Sequence, residues 1–165
     1  MALFVVQVRY KDDPAIILSQ QVGFIRENAD IVALDGESLL KLPVDPLGEY
    51  YLAIIARGHL GVMTSTVKSL QGTAFLHDFR DPSGLYQDPN MNQVPLSDLG
   101  NGVFGLISGD SDLNGVINSA DFNDVTSQYL QIGYYLADVD FNGVINSADF
   151  NIIIANYFKM SQIPD

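Results

Sequence analysis

A mainly β protein with a small α part is the fold class the sequence predicts: a β-sandwich over residues 1–80, a long connection over 81–108, and two loop–helix units over 109–165. Three observations carry this expectation. Short β-branched and aromatic runs separated by turn residues fill the first half. Between Arg80 and Gly109 the composition shifts to Asp, Pro, Gly, Asn and Ser. From there to the end an internal repeat governs the pattern.

In order along the chain, Leu3 to Tyr10 alternates Phe4, Val6 and Val8 against Val5, Gln7 and Arg9, a strand that the charged turn Lys11-Asp12-Asp13-Pro14 ends. Ala15 to Ile25 is the next strand segment. Ile31 to Leu34, stopped by Asp35-Gly36, and Leu39 to Val44, stopped by Asp45-Pro46-Leu47-Gly48, add two more. Tyr50 to Ala56 is the most apolar and is expected at the centre; His59 to Ser65 and Thr73 to Phe79 bring the set to roughly seven strands, the usual number for one sandwich. Asp81-Pro82-Ser83-Gly84 and Asp88-Pro89-Asn90 mark the connection.

Composition narrows the function. With 165 residues and 47% hydrophobic content the chain is in the globular range, long enough to bury roughly 70% of its unfolded surface. Eight Lys+Arg against 20 Asp+Glu leave a formal charge of −12, which opposes nucleic acid and anionic lipid and makes cations the natural small partners. The absence of cysteine removes disulfides, thiolate nucleophiles and Cys-based metal sites. The apolar runs are far below the roughly 20 residues of a bilayer span, so membrane insertion is not expected. Met1 to Val6 lacks the basic stretch of a signal peptide and already reads as strand, so the chain is expected to be a segment of a longer protein.

The repeat carries the chemistry. Asn114–Asn123 and Asn142–Asn151 read NGVINSADFN in both copies, ten identical positions at an offset of 28 (142 minus 114). Each copy has the form D-x-D-x-N-G-x-I-N-S-A-D, a calcium-loop spacing. Asp110, Asp112 and Asn114, then Asp138, Asp140 and Asn142, stand at positions 1, 3 and 5, where oxygen side chains converge on one point. Gly115 and Gly143 at position 6 permit the sharp turn. The position 7 ligand would be the carbonyl of Val116 or Val144; Asn118 and Asn146 would bind directly or through water, and Asp121 and Asp149 would close the sphere. Two Ca²⁺ ions are expected. Converging carboxylates repel without a cation, so metal binding and folding of the loops should be coupled.

Each loop should run into a helix, with Ser119 and Ser147 as N-cap candidates and Asp121 and Asp149 complementing the positive helix end. Phe122, Val125 and Tyr129, then Phe150, Ile153, Ile154, Tyr157 and Phe158, recur at helical spacing and predict two apolar stripes that pack together. Ile117 and Ile145, at position 8, suit a short backbone pairing between the loops.

No helix precedes either loop: Gly102 to Gly109 reads as strand, and Tyr134-Tyr135-Leu136-Ala137 is too short. A duplicated half EF-hand with Asp at position 12 and N-S-A-D entering a helix resembles the dockerin family, type I. The resemblance covers Gly109 to about Phe158. It implies antiparallel loop–helix motifs, two structural calcium ions and a surface for a cohesin module, with the recognition dipeptides falling on Ser119-Ala120 and Ser147-Ala148. Ala120 and Ala148 stand where a polar side chain is common. Gly48 to Ser65, GEYYLAIIARGHLGVMTS, looks like the β-sandwich modules that precede dockerin-like ends in large secreted surface proteins of Bacteroidota, which implies an Ig-like or transthyretin-like domain.

Other conspicuous residues read as structural. His59 and His77 lack a nucleophile or second motif; Arg57-Gly58-His59-Leu60-Gly61 reads as a turn; Tyr50-Tyr51 and Tyr134-Tyr135 read as packing; Asp12, Asp13, Asp35 and Asp45 suit turns. No catalytic residue is expected. The whole predicts a noncatalytic, calcium-stabilised module of a secreted or cell-surface protein, serving attachment or assembly through a cohesin-like partner. Two alternatives stand beside it: a filament subunit that self-associates by β-strand addition, and an accessory domain of a secreted glycan-degrading enzyme.

Overall fold

The computed structural model describes residues 2–28, 30–70 and 77–164. In chain order the strands are β1 (Ala2–Tyr10), β2 (Ile17–Ile25), β3 (Ile31–Val32), β4 (Glu49–Ala56), β5 (Gly58–His59), β6 (Val62–Met63), β7 (Lys68–Ser69), β8 (Leu96–Gly100), β9 (Val103–Leu106) and β10 (Ser108–Asp110); the helices are α1 (Ser119–Ser127) and α2 (Ser147–Ala155). Among the described residues the protein is thus mostly β with two helices. It divides into two compact units, one of Met1–Ala56, Gly61–Pro95 and Gln162–Asp165, the other of Arg57–Leu60 and Leu96–Ser161.

The first unit is built on a six-stranded sheet in the order β3-β2-β1-β4-β6, with β7 also on β4. The two long central pairs are antiparallel, with Val6 opposite both Gln21 and Ile54, and Val8 opposite both Ser19 and Leu52. Phe4, Val6 and Val8 share one face of β1, as their spacing dictates, and all are buried. Val8, Tyr50 and Leu52 form a core against which Leu42, Val44, Leu70 and Phe79 pack.

Two expectations change here, and a third lies largely outside the described residues. The strand expected over Leu39–Val44 reduces to a single bridge, Val32 to Leu39. Pro43 has no N–H for a ladder, and Val44 N–H donates to the Leu42 carbonyl at 2.9 Å, closing a tight turn over the proline. Leu42 and Val44 still reach the core, so irregular chain covers the sheet where a strand was expected. The alternation in β1 does not separate core from solvent, because Gln7 and Arg9 on the opposite face are also buried. The Arg9 guanidinium donates to Gln7 Oε1 at 3.0 and 2.8 Å and to the Pro14 and Pro164 carbonyls at 2.8 Å each, so its charge is hydrogen-bonded in place. Of Thr73–Phe79, residues 73–76 lie outside the described residues, and 77–79 are in no strand.

The region expected as a connection, 81–108, carries ordered elements. Pro82–Gly84 is a 3-10 turn that Asp81 caps by accepting from Ser83 N. Leu96 to Leu106 is a β8–β9 hairpin whose turn residues, Asn101 and Gly102, have φ of 55° and 75°. Asn-Gly between apolar alternating residues is the chemistry of such a two-residue turn, since both positions need positive φ. In the second unit β10 pairs with β5, and Leu60, Ile107, Ile117, Val125, Ala137, Ile145 and Ile153 form one core. The His59–Ser65 strand is therefore split: Gly58–His59 belongs to the second unit and Val62–Met63 to the first. The expected turn at Arg57–Gly61 thus contains a strand, because Gly58 supplies the φ of 67° that starts it and His59 finds Ser108 as partner.

Core position decides the response to truncation. Val8 is fully buried and Val22 is 41% exposed. Val8→Ala is expected to lower the stability of the first unit by about 2–3 kcal/mol and Val22→Ala by less than about 0.5 kcal/mol. Urea unfolding at fixed calcium concentration measures both.

Candidate metal centre

Two groups of carboxylates in the second unit converge. Asp110, Asp112 and Asp121 each offer an oxygen within 4.8 Å of the others, and so do Asp138, Asp140 and Asp149. The convergence has a local cause in each loop. Asp110 Oδ2 accepts from Gly115 N at 3.0 Å, and Asp112 accepts from Asn114 N and Nδ2 at 3.1 and 2.8 Å. Asn114 Oδ1 in turn accepts from Val116 N at 2.8 Å. The second loop repeats every bond: Asp138 with Gly143 N at 3.1 Å, Asp140 with Asn142 at 3.0 and 2.8 Å, and Asn142 with Val144 N at 2.8 Å. Gly115 and Gly143 have φ of 83° and 85°, which a side chain would oppose. Leu113 and Phe141, at position 4, also turn left-handed with φ of 60° in both loops, which the spacing did not announce.

Asp121 and Asp149 are wholly buried and close the loops. One oxygen of Asp121 accepts from Ser111 N at 2.7 Å and Asp112 N at 3.4 Å, the other from Asn118 N at 2.8 Å. Asp149 does the same with Val139 N at 2.9 Å, Asp140 N at 3.3 Å and Asn146 N at 2.9 Å. The helices start one residue earlier than the Ser119 and Ser147 caps expected from sequence. Asn118 and Asn146 are the N-caps, accepting from Ala120 N and Ala148 N at 2.7 and 2.8 Å, and Asp121 and Asp149 complete capping boxes at N3. Asn outcompetes Ser because the side chain at position 9 is already aimed at the first helical turn. Its amide also donates to the position 7 carbonyl of its own loop, Val116 at 3.1 Å and Val144 at 2.9 Å.

Electrostatics follow from burial. One oxygen of Asp110 and one of Asp138, Oδ1 in each, is buried with no hydrogen-bond partner. An unpartnered buried carboxylate oxygen is costly, and a cation at the centre of the triad is the group that would satisfy it. Burial pushes the Asp110 carboxyl up to about 6, with the charges of Asp121 and Asp112 adding to the rise and the Gly115 N–H opposing it. All-oxygen donors on a flexible loop fit a hard cation of the calcium type.

The loops do not pair with each other through Ile117 and Ile145. Ile117 N donates to the Lys159 carbonyl and Phe158 N to the Ile117 carbonyl, both at 2.8 Å. Ile145 N donates to the Gln131 carbonyl at 3.0 Å and Leu130 N to the Ile145 carbonyl at 2.8 Å. Each loop is therefore laced to the segment leaving the other helix. The left-handed φ of Leu130 and Phe158, 66° and 68°, reverses the chain after each helix and brings that segment back. The helical stripes are only partly covered: Val125 and Ile153 are fully buried, while Phe122, Tyr129, Ile154 and Phe158 are exposed. Phe122 and Tyr129 meet Phe150 at ring-centroid distances of 4.8 and 5.6 Å. Ser119 and Ser147 lie exposed at the helix starts, with Ala120 and Ala148 half-buried beside them.

No family model matches the sequence, and no curated protein matches it. Among solved structures, one chain of a crystal structure of a type II cohesin–X–dockerin complex from Acetivibrio cellulolyticus, a C-terminal interface mutant, is similar over 97% of this chain and 83% of that chain, with a TM-score of 0.51 and 16% identity. At that identity the likeness is one of fold. Among the described residues no helix is long and apolar enough to cross a membrane.

The bond pattern separates two roles among the carboxylates. In chelator, Asp121→Ala is expected to lower the stability of the second unit by about 2–4 kcal/mol, because it strips partners from buried N–H groups, whereas Asp112→Ala costs less than about 1 kcal/mol. Thermal unfolding of both variants with chelator decides; equal losses would mean that Asp121 has no structural role apart from metal.

Proposed function

We propose that this protein is a noncatalytic, calcium-stabilised assembly module of an extracellular or cell-surface protein. The observation that carries the reading is the pair of acidic triads, each with a buried, unpartnered oxygen on its position 1 carboxylate. In each loop the ion would be held by the position 1, 3 and 12 carboxylates, by Asn114 or Asn142, and by the carbonyl of Val116 or Val144, with Asn118 or Asn146 contributing directly or through water. Calcium supplies charge neutralisation there, and the chain's own capping and lacing bonds translate it into a stable pair of helices.

The finer reading is dockerin-like. Its supports are the duplicated half EF-hand, in which strand β10 and an irregular segment, not a helix, lead into the two loops, and the fold shared with a chain of a cohesin–X–dockerin complex. On that reading the partner is a cohesin-type module, the exposed Ser119 and Ser147 with Ala120 and Ala148 lie on the surface it meets, and the first unit is an Ig-like or transthyretin-like companion domain. The unit of Met1–Ala56, Gly61–Pro95 and Gln162–Asp165 is then the companion, and the unit of Arg57–Leu60 and Leu96–Ser161 carries the calcium loops.

Calorimetric titration of the full chain with calcium is expected to show two sites. At a free ion concentration about 1,000 times the Kd, each contributes about 4 kcal/mol of stability, seen as a higher Tm that chelator reverses. No heat and no Tm shift would remove the reading. Capture by immobilised cohesin modules tests the partner; calcium-dependent self-association in sedimentation, with no capture, would favour the filament alternative.

A further inference from the structure

The two loops differ at positions 2 and 4, Ser111 and Leu113 in the first against Val139 and Phe141 in the second. At position 4 each places a non-glycine residue at φ of 60°, Leu113 in the first and Phe141 in the second. A left-handed residue of this kind costs roughly 1–2 kcal/mol and persists only where its surroundings hold it. Around Phe141 the surroundings are specific. The His59 ring stacks on it at 5.5 Å with an interplanar angle of 23°, and the Arg57 guanidinium lies 5.2 Å from its centroid. The same guanidinium sits 3.7 Å over the Tyr134 ring, and Arg57 Nη2 donates to the Tyr135 carbonyl.

Arg57 is held by aromatic faces in place of acid. Its Nε is buried without a hydrogen-bond partner, and among the described residues no carboxylate forms an ion pair with it. A guanidinium between two ring faces is a stiff planar bridge. It ties the residues just before Asp138 to the residue between Asp140 and Asn142. Gly58, at φ of 67°, lies against the same residues: a Cβ there would make ordinary van der Waals contact with Phe141 Cζ at 3.6 Å and Val139 Cγ1 at 3.7 Å. The Val139 carbonyl is further held by Ser108 Oγ at 2.8 Å.

The geometry points to Arg57 and His59 as positioning residues for the second calcium loop: they hold its position 4 in the bent conformation, so that loop binds the ion from a preorganised state. This deepens the calcium reading and rests on it. A site whose competent conformation is only partly populated loses apparent affinity by that fraction, so releasing the clasp weakens the second loop and spares the first. Charge alone makes the opposite prediction, because removing a cation near an acidic loop should strengthen calcium binding.

The test is calorimetric calcium titration of full-length chains in which one loop is silenced, by Asp110→Asn with Asp112→Asn, or by Asp138→Asn with Asp140→Asn. With the first loop silenced, Arg57→Gln is expected to weaken calcium binding roughly 5- to 20-fold, and His59→Ala to move it in the same direction. Arg57→Lys, which keeps the charge without the planar bridge, should also weaken it. With the second loop silenced, Arg57→Gln should change the first loop's affinity less than about twofold, which also shows that the variant is folded. Unchanged or tighter binding at the second loop, or equal weakening at both loops, would overturn the assignment while leaving the calcium reading intact. If neither loop of the unaltered chain takes up calcium, the calcium reading fails, and this inference fails with it.

Discussion

The carboxylate that closes each loop is the constraint on which the second unit depends. Asp121 and Asp149 are wholly buried, and each spends its oxygens on three backbone N–H groups, two from the start of its loop and one from the N-cap. Each also belongs to an acidic triad. Loop closure, helix initiation and the gathering of charge are therefore one event. A buried carboxylate without those donors would be prohibitively costly, and with them it still leaves its neighbours at position 1 with a bare oxygen. The proposed cation answers that deficit.

Neither repeat is a folding unit alone. Helices of nine residues are too short to persist in water on propensity. The reciprocal lacing supplies what propensity lacks: each position 8 isoleucine is paired by backbone with the chain that leaves the opposite helix, and its side chain joins Val125 and Ile153 in a shared core. The arrangement follows from duplication. Loops that match from position 5 onward offer the same backbone edge at position 8, and a twofold-like exchange satisfies both at once, where direct loop-to-loop pairing would leave the segments after the helices without partners.

The first unit solves a different problem by different means. Both faces of its central strand are buried, one by apolar packing that includes Tyr50 and Phe79 and the other as the hydrogen-bonded Arg9–Gln7 pair. A buried guanidinium is tolerated because carbonyls from Pro14 and Pro164 meet its remaining donors. With no cysteine in the chain, covalent staples are absent, and in the proposed reading bound calcium takes their place in the smaller unit.

The convergence of the two acidic triads, the two helices to within a residue of their starts, and the long strands β1, β2 and β4 were legible from residues alone, because each rests on short-range chemistry: oxygens at fixed spacing, capping, and period-two alternation. The β8–β9 hairpin was not read from the sequence, because the surrounding Asp, Pro and Gly residues masked the signal of its Asn-Gly turn. What the linear pattern left open involves partners distant in sequence. The buried Arg9 guanidinium finds the Pro164 carbonyl; the strand at Gly58–His59 exists because Ser108 and Asp110 lie beside it; Tyr134, expected as packing, is exposed and carries the Arg57 guanidinium over its ring. Spacing within a segment encodes which atoms can meet inside one or two turns of chain. Which segment arrives to satisfy the groups left over is settled only when the whole chain competes for the same donors, acceptors and apolar surface.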